Sequence, residues 1–337
     1  MRLFCDLKLY AYLPFIFVVI TSATAELQAQ VESIFDKELH LTVDNDAMLF
    51  GKNDRYYSSG IFASYRRLIK QENRWFTRMN KKDKLSKAIV TYQFAHRMYT
   101  SYDIKFSDEA RIDRPYAGWV NLGIGIQYYF KKGTVLKMDY DLGWLGPGTK
   151  TGEIQRWWHA VFNMKEPRGW DYQINNTLAT NASVMLQKRL VKSGNSFDLI
   201  SNTSLKLGTI MNNARQGLTM RMGLLQGLDA TSFTDSKMGQ GRKKVTEIPL
   251  DERIQEFYFF VNFTMERVLY NTTIEGNIIG TPSEFTKTAE PWVLHQAWGF
   301  SRSGRMYDLT VAINFRGREV VGAQSHKYMS ITMAHRF

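Results

Sequence analysis

The chain has 337 residues, 44% hydrophobic and 23% charged, enough for one large or two modest domains and unlike a disordered polyelectrolyte or a collagen. Beyond the first 20 residues no run of 18 apolar residues occurs, which excludes a helical membrane bundle. The net charge of +12 would suit nucleic acid, but the export signal described next removes that partner, and phosphorylated lipid suits a basic face equally well.

The first segment is read as a secretory signal over residues 1–25. Arg2 and Lys8 lead, an apolar stretch runs from Leu13 to Ile20, and Ala23-Thr24-Ala25 supplies small residues for cleavage. The stretch is too short to span a bilayer. Cys5 is the one cysteine and leaves with the signal, so residues 26–337 carry no disulfide framework, thiolate metal site or thiol nucleophile.

The mature chain alternates with a period of two. Val120, Leu122, Ile124, Ile126, Tyr128 and Phe130 share one face, and Asn121, Gly123, Gly125 and Gln127 the other. After Lys131-Lys132-Gly133 the pattern resumes with Leu136, Met138, Tyr140, Leu142 and Trp144, and it recurs from Tyr307 to Phe315. Aromatics are abundant (17 Tyr, 21 Phe, 8 Trp) and cluster at the ends of the apolar faces. An exported chain of strands about ten residues long, apolar on one face and polar on the other, reads as a transmembrane barrel. A soluble sandwich would put its polar face outside and follow each strand with a short turn.

Twelve strands are expected, near 38–46, 57–69, 87–98, 116–130, 134–145, 175–190, 196–209, 215–227, 254–268, 289–302, 305–316 and 326–337. The fold class is therefore all-β, a 12-stranded antiparallel transmembrane barrel with a short extracellular helix. An even count leaves both ends in the periplasm, so Thr272 to Ile279 is read as loop. The connections around 44–58, 98–115 and 146–174 become extracellular, and 228–253 becomes a long periplasmic connection. The last strand ends on Phe337 and resembles the assembly signal of outer-membrane barrels, with His335 where an aromatic is usual.

Several polar clusters then meet at the outer mouth. They are Asp44-Asn45-Asp46 with Asn53-Asp54, Tyr56-Tyr57-Ser58-Ser59-Gly60, His96-Arg97, and Asp113-Arg114-Pro115-Tyr116-Ala117-Gly118-Trp119. Parity places Ser58 and Arg97 toward the lumen. Thr151 to Met164 is the one convincing helix, punctuated by Pro147-Gly148 before it and Pro167 and Gly169 after it. Gln155 and His159 are four apart and share a face, which Glu166 joins if the helix persists. A histidine there suits a general base, although the residues alone favour the plainer reading of a lumenal cap, with Trp157 and Trp158 anchoring in the lipid interface.

With Met98-Tyr99-Thr100, Gly146-Pro147 and Pro167-Arg168-Gly169-Trp170-Asp171-x-Gln173, these blocks occur in an order that resembles the outer-membrane lipid A 3′-O-deacylases. The resemblance covers most of the mature chain, is densest from 113 to 173 and blurs from 228 to 253. It implies a calcium-dependent hydrolase of the outer membrane that removes the 3′-linked acyloxyacyl group of lipid A, the lipid anchor of lipopolysaccharide, and acts as a monomer. His159 would activate water, with Gln155 or Glu166 orienting its ring or the water. Asn45, Asp46 and Ser58 would offer the oxygen ligands calcium prefers, and Arg97 would bind a phosphate or the carbonyl oxygen. Ser58 stands where some relatives carry Thr, and Arg97 takes the role of the family's lumenal lysine. No Gly-x-Ser-x-Gly and no His-Glu-x-x-His occurs, which favours direct attack by water. The rival readings are a non-catalytic pore or adhesin barrel, and an outer-membrane phospholipid esterase.

Overall fold

The computed structural model describes residues 35–49, 54–80, 84–239 and 255–337 and forms a closed antiparallel barrel of twelve strands. The strands are β1 (Lys37–Asn45), β2 (Tyr57–Leu68), β3 (Leu85–Tyr99), β4 (Ala117–Phe130), β5 (Thr134–Leu145) and β6 (Thr177–Ser193), followed by β7 (Phe197–Gly208), β8 (Met211–Leu224), β9 (Glu256–Asn271), β10 (Trp292–Ser303), β11 (Tyr307–Arg316) and β12 (His326–Arg336). Each pairs with its chain neighbours, and β1 closes on β12 with Glu38 opposite Arg336 and Asn45 opposite Met329. Closure pairs every strand on both edges, which a hydrocarbon environment requires. Three short helices accompany them: α1 (Arg74–Met79), α2 (Thr151–Val161) and α3 (Thr272–Glu275). The expected signal lies outside the described residues.

All twelve expected strands are present, and the segment read as loop after β9 opens with the single turn of α3. The differences fall at strand ends. β10 starts after Pro291, which cannot donate to a ladder, and Ala289 instead forms an isolated bridge with Val320. The register of β2 against β3 slips between Tyr57 and Ser59. Parity therefore stops at this bulge. Tyr57 lines the lumen, while the Ser58 hydroxyl lies 2.7 Å from Thr100 Oγ1.

The alternation sorts the two faces as expected. Tyr92, Leu122, Ile124, Tyr140 and Leu142 are exposed on the outside. The last strand's His335 also faces out and stacks on Tyr307, ring centroids 4.7 Å apart, in the place of the usual aromatic. Inside, Tyr57, Tyr99, Trp119 and Tyr328 cluster toward the outer end, above a cavity of about 320 Å³ bordered by Arg97, Lys206, Arg215 and Arg316. At the other end the connection after β8 folds into the lumen. Leu228 and Met238 pack on Ile89, Val135 and Ile200, and Tyr129 Oη donates to the Thr234 carbonyl at 2.8 Å. Asp235 there meets Arg66 at 2.9 Å and Lys137 at 3.3 Å. The connection read over 228–253 is thus an inward plug as far as residue 239; the remainder lies outside the described residues.

Candidate active site at the outer rim

Helix α2 forms on the outer side of the wall because the chain turns sharply just before and just after it. Lys150 enters in the left-handed region at φ 57°, and Asn163 leaves in the same region at φ 50°. Gly118 of β4 makes the close approach possible, since a Cβ there would lie 2.2 Å from Thr151 Oγ1. His96, on the outward face of β3, anchors the same hydroxyl, with Nε2 2.9 Å from Thr151 Oγ1. The helix buries Thr151, Gly152, Gln155 and His159.

His159 is fixed at both ring nitrogens. Nδ1 meets the backbone carbonyl of Lys165, and Nε2 lies 2.7 Å from Asp54 Oδ2. A carbonyl only accepts, so Nδ1 carries a proton and Nε2 is the position that gains or loses one. Burial alone would depress the ring's pKa. The hydrogen bonds to Asp54 and to the Lys165 carbonyl, together with the Asp54 charge, outweigh it and hold the pKa above the ordinary imidazole value. Gln155 ties the group together: Nε2 donates to Asp54 Oδ2 at 3.3 Å, and Oε1 accepts from the buried Trp170 indole at 2.8 Å.

Asp54 sits beside a second buried carboxylate. Asp46 accepts from the Arg55 backbone through Oδ2 at 2.8 Å, while its Oδ1 is buried without a hydrogen-bond partner among the described residues. Burial and the neighbouring Asp54 charge raise its pKa well above the carboxylate range. An orphaned, buried carboxylate oxygen facing a second carboxylate fits a hard cation, and oxygen-only donors fit calcium. Among the described residues no group of three His, Cys, Asp or Glu side chains forms a metal cluster, so backbone, amide or hydroxyl oxygens would complete such a site. Asn45 Oδ1 accepts from Ala47 N at 2.7 Å, and the Asp46 N–H donates to the Ser58 carbonyl at 3.3 Å, so both residues border Asp46.

The loop carrying Asp54 is held by a clasp that the sequence did not reveal. Tyr56, at φ 56°, donates its hydroxyl to Asp113 Oδ2 at 2.6 Å and accepts from Gln324 N at 3.0 Å. Asp113 Oδ1 accepts from Ser101 Oγ at 2.8 Å and Tyr102 N at 3.0 Å. Tyr116 and Gln173 bridge in parallel, and Tyr116 packs edge-on to Trp170 at 5.2 Å. The blocks 113–119 and 167–173 are therefore the scaffold that positions Asp54 and Gln155.

The candidate residues divide into those that meet and those that do not. His159, Gln155 and Asp46 converge around Asp54, which sequence reading had placed only in a polar cluster; its position two residues before Tyr56-Tyr57-Ser58 was the available signal. Glu166 does not join them, because α2 ends at Val161 and the chain reverses at Asn163. Its side chain is exposed and pairs with Arg168 at 2.9 Å. Arg97 lies across the wall, on the lumenal face. It donates to Asn121 Oδ1 at 2.7 Å, with its guanidinium over Trp119 at 4.3 Å and Phe62 at 4.8 Å.

A closed twelve-stranded barrel with a buried histidine–carboxylate pair under a rim helix is an outer-membrane barrel that carries a polar site on the outer side of its wall. The model of the outer-membrane protein LpxR family matches residues 13–337, and the chain belongs to that family. The solved structure of LpxR from Salmonella typhimurium superposes with a TM-score of 0.69 at 16% identity, covering 89% of this chain and all of that one. The β domain of the Bordetella autotransporter BrkA (TM-score 0.41, 10% identity, 90% and 98% coverage) and the translocator domain of NalP from Neisseria meningitidis (0.40, 10%, 98% and 97%) are more distant barrels. No curated protein matches the chain.

Proposed function

We propose that this barrel is a lipid A deacylase of the outer membrane, hydrolysing the 3′-linked ester with water activated by His159. The observation that carries the reading is the His159–Asp54 pair, buried and anchored at both nitrogens, beside the orphaned Asp46 oxygen in a member of this family. With the Asp54 carboxylate drawn aside from Nε2 to admit a water, neutral His159 takes a proton from that water at Nε2 as the water oxygen attacks the ester carbonyl carbon. The imidazolium so formed is stabilised by the nearby Asp54 charge, and Nδ1–H on the Lys165 carbonyl keeps the ring from turning. Collapse of the tetrahedral intermediate breaks the bond to the sugar oxygen, and Nε2 returns the proton to that leaving oxygen. Gln155 holds Asp54 in line through Trp170.

Asp46, with oxygen donors from Asn45 and Ser58, would hold the calcium ion. When bound, such an ion supplies positive charge where the carbonyl oxygen becomes negative. The lumenal placement of Arg97 and the exposure of Glu166 favour neither for contact with the reacting ester.

Mass spectrometry of lipid A from cells with and without the protein tests the reading. The expected product lacks the 3′ acyloxyacyl group. Unchanged lipid A with altered phospholipids would support the phospholipid esterase instead. No change in either lipid, with ion conductance in planar bilayers, would support a pore; against it stand the lumenal plug and the aromatic cluster above the cavity.

A further inference from the structure

The geometry of α2 points to a membrane-docking surface, separate from the site it carries: we infer that its Ile154–Trp157–Val161 stripe lies in the acyl-chain boundary of the outer leaflet. At about 100° per residue the eleven residues of α2 sort into three sectors roughly 120° apart. Thr151, Gln155 and His159 form the first and are buried against the protein. Glu153, Arg156 and Ala160 form the second; all three are exposed, and Glu153 pairs with Lys150 at 2.9 Å. The third is Ile154, Trp157 and Val161, and it is apolar yet 47%, 63% and 56% exposed. Trp158 flanks it, with rings packed on Trp157 at 6.3 Å and Phe162 at 4.5 Å.

A helix in water has no use for an exposed apolar sector, whereas one lying in a bilayer surface against a barrel needs three unlike faces. One meets the wall, one meets water and one meets lipid. The height fits. The helix rests on His96 and Gly118, and the next outward pair toward the periplasm, Phe94 opposite Leu122, belongs to the exposed apolar belt. Trp144, outward on β5 and opposite Val120, donates its indole N–H to Asn176 Oδ1, the half-apolar, half-polar placement typical of the membrane interface. The stripe therefore continues a surface already given over to lipid, and its occupant is the acyl region of outer-leaflet lipid. If the proposed reaction is right, the same docking sets His159 at the depth of ester linkages, which lie between headgroup and chains.

The test is a depth profile. Cys5, within the expected signal, is the chain's one cysteine, so single cysteines introduced at Glu153, Ile154, Arg156, Trp157, Ala160 and Val161 in turn give single-site nitroxide labels, with Cys5→Ser added only where the signal is retained. In phosphatidylcholine vesicles, labels at 154, 157 and 161 should collide with oxygen in preference to a water-soluble nickel chelate. Labels at 153, 156 and 160 should show the reverse. Preference for nickel at all six positions, or shielding of 154, 157 and 161 from both reagents, would overturn the inference. The profile needs no catalysis, so it stands or falls apart from the proposed reaction. Where turnover is measurable, Trp157→Ser should raise KM for lipid A in bilayers about tenfold with kcat within twofold. A fall in kcat at unchanged KM would assign Trp157 to the site and count against docking.

Discussion

Two aspartates, one at each end of the barrel, show how differently the same side chain can be used. At the periplasmic end Asp235 meets Arg66 at 2.9 Å, Lys137 at 3.3 Å and His40 at 3.8 Å. Burial would raise its pKa, but Arg66, Lys137 and His40 hold it far below the usual carboxylate range. At the outer rim Asp46 has, among the described residues, no cationic partner and no hydrogen bond to Oδ1, and it faces Asp54, so burial and repulsion drive its pKa up. The first is complete as it stands and fastens a plug. The second lacks, among the described residues, the positive charge that completes the first, and the proposed cation would supply it.

The largest expected effect comes from calcium. Chelation should abolish lipid A deacylation, and magnesium should restore it poorly because it demands a smaller, stricter octahedron. Full activity in excess chelator, read from lipid A mass spectra, would remove Asp46 from that role and erase the contrast with Asp235. The same ion should raise the unfolding temperature. A carboxyl whose folded pKa is raised contributes stability at low pH that is lost as pH rises through the folded value, and a bound cation offsets that loss. Stabilisation by calcium should thus be larger at pH 8 than at pH 5, and Asp46→Asn should lose it.

Asp54→Asn comes next, with a fall in turnover of about 10- to 100-fold, since it removes the charge that stabilises the imidazolium but leaves the base. Its signature is the pH profile. The His159 base form disappears as pH falls through a value held above about 6.5 in the native protein. Without the Asp54 charge only burial and the Lys165 carbonyl remain, so the acid limb should move to lower pH. An unmoved limb would separate Asp54 from the base.

Asp235→Ala should leave deacylation intact and lower stability, by between the about 1 kcal/mol of an exposed ion pair and the about 3 kcal/mol of a buried one. A carboxyl whose pKa is depressed stabilises above its unfolded value, so Asp235 should lose its contribution only in strong acid. Calorimetry across pH reads both. Gln155→Ala should have the smallest effect, a several-fold loss of kcat with unchanged KM, because His159 and the loop clasp still confine Asp54.

Much of the barrel was legible because strand periodicity is a local signal. Val120 to Trp144 shows its two faces without reference to any other strand, and an even count fixed where Thr272 had to leave the sheet. The plug was not legible, since nothing local to Asp235 says that Arg66, Lys137 and His40 surround it. The site was legible in part. Gln155 and His159 share a face through helix spacing alone, whereas Asp54 reaches them from 101 and 105 positions away and only because Tyr56 is clasped by Asp113. Glu166 lies off that face because the helix on which its placement depended ends at Val161 and the left-handed Asn163 turns the chain. Ser58 was assigned by parity across a bulge that parity cannot see.

The central claim is that Nε2 of His159 takes the proton from the attacking water, and His159→Asn tests it most directly. The substitution keeps polarity and approximate size but offers no base near pH 7. The measurement is the mass of lipid A after incubation with purified variant whose unheated gel mobility matches the native barrel. The account predicts a loss of turnover of about 10² to 10⁴-fold in a folded protein. Removal of the 3′ acyl chains at near native rate by that folded variant would contradict it.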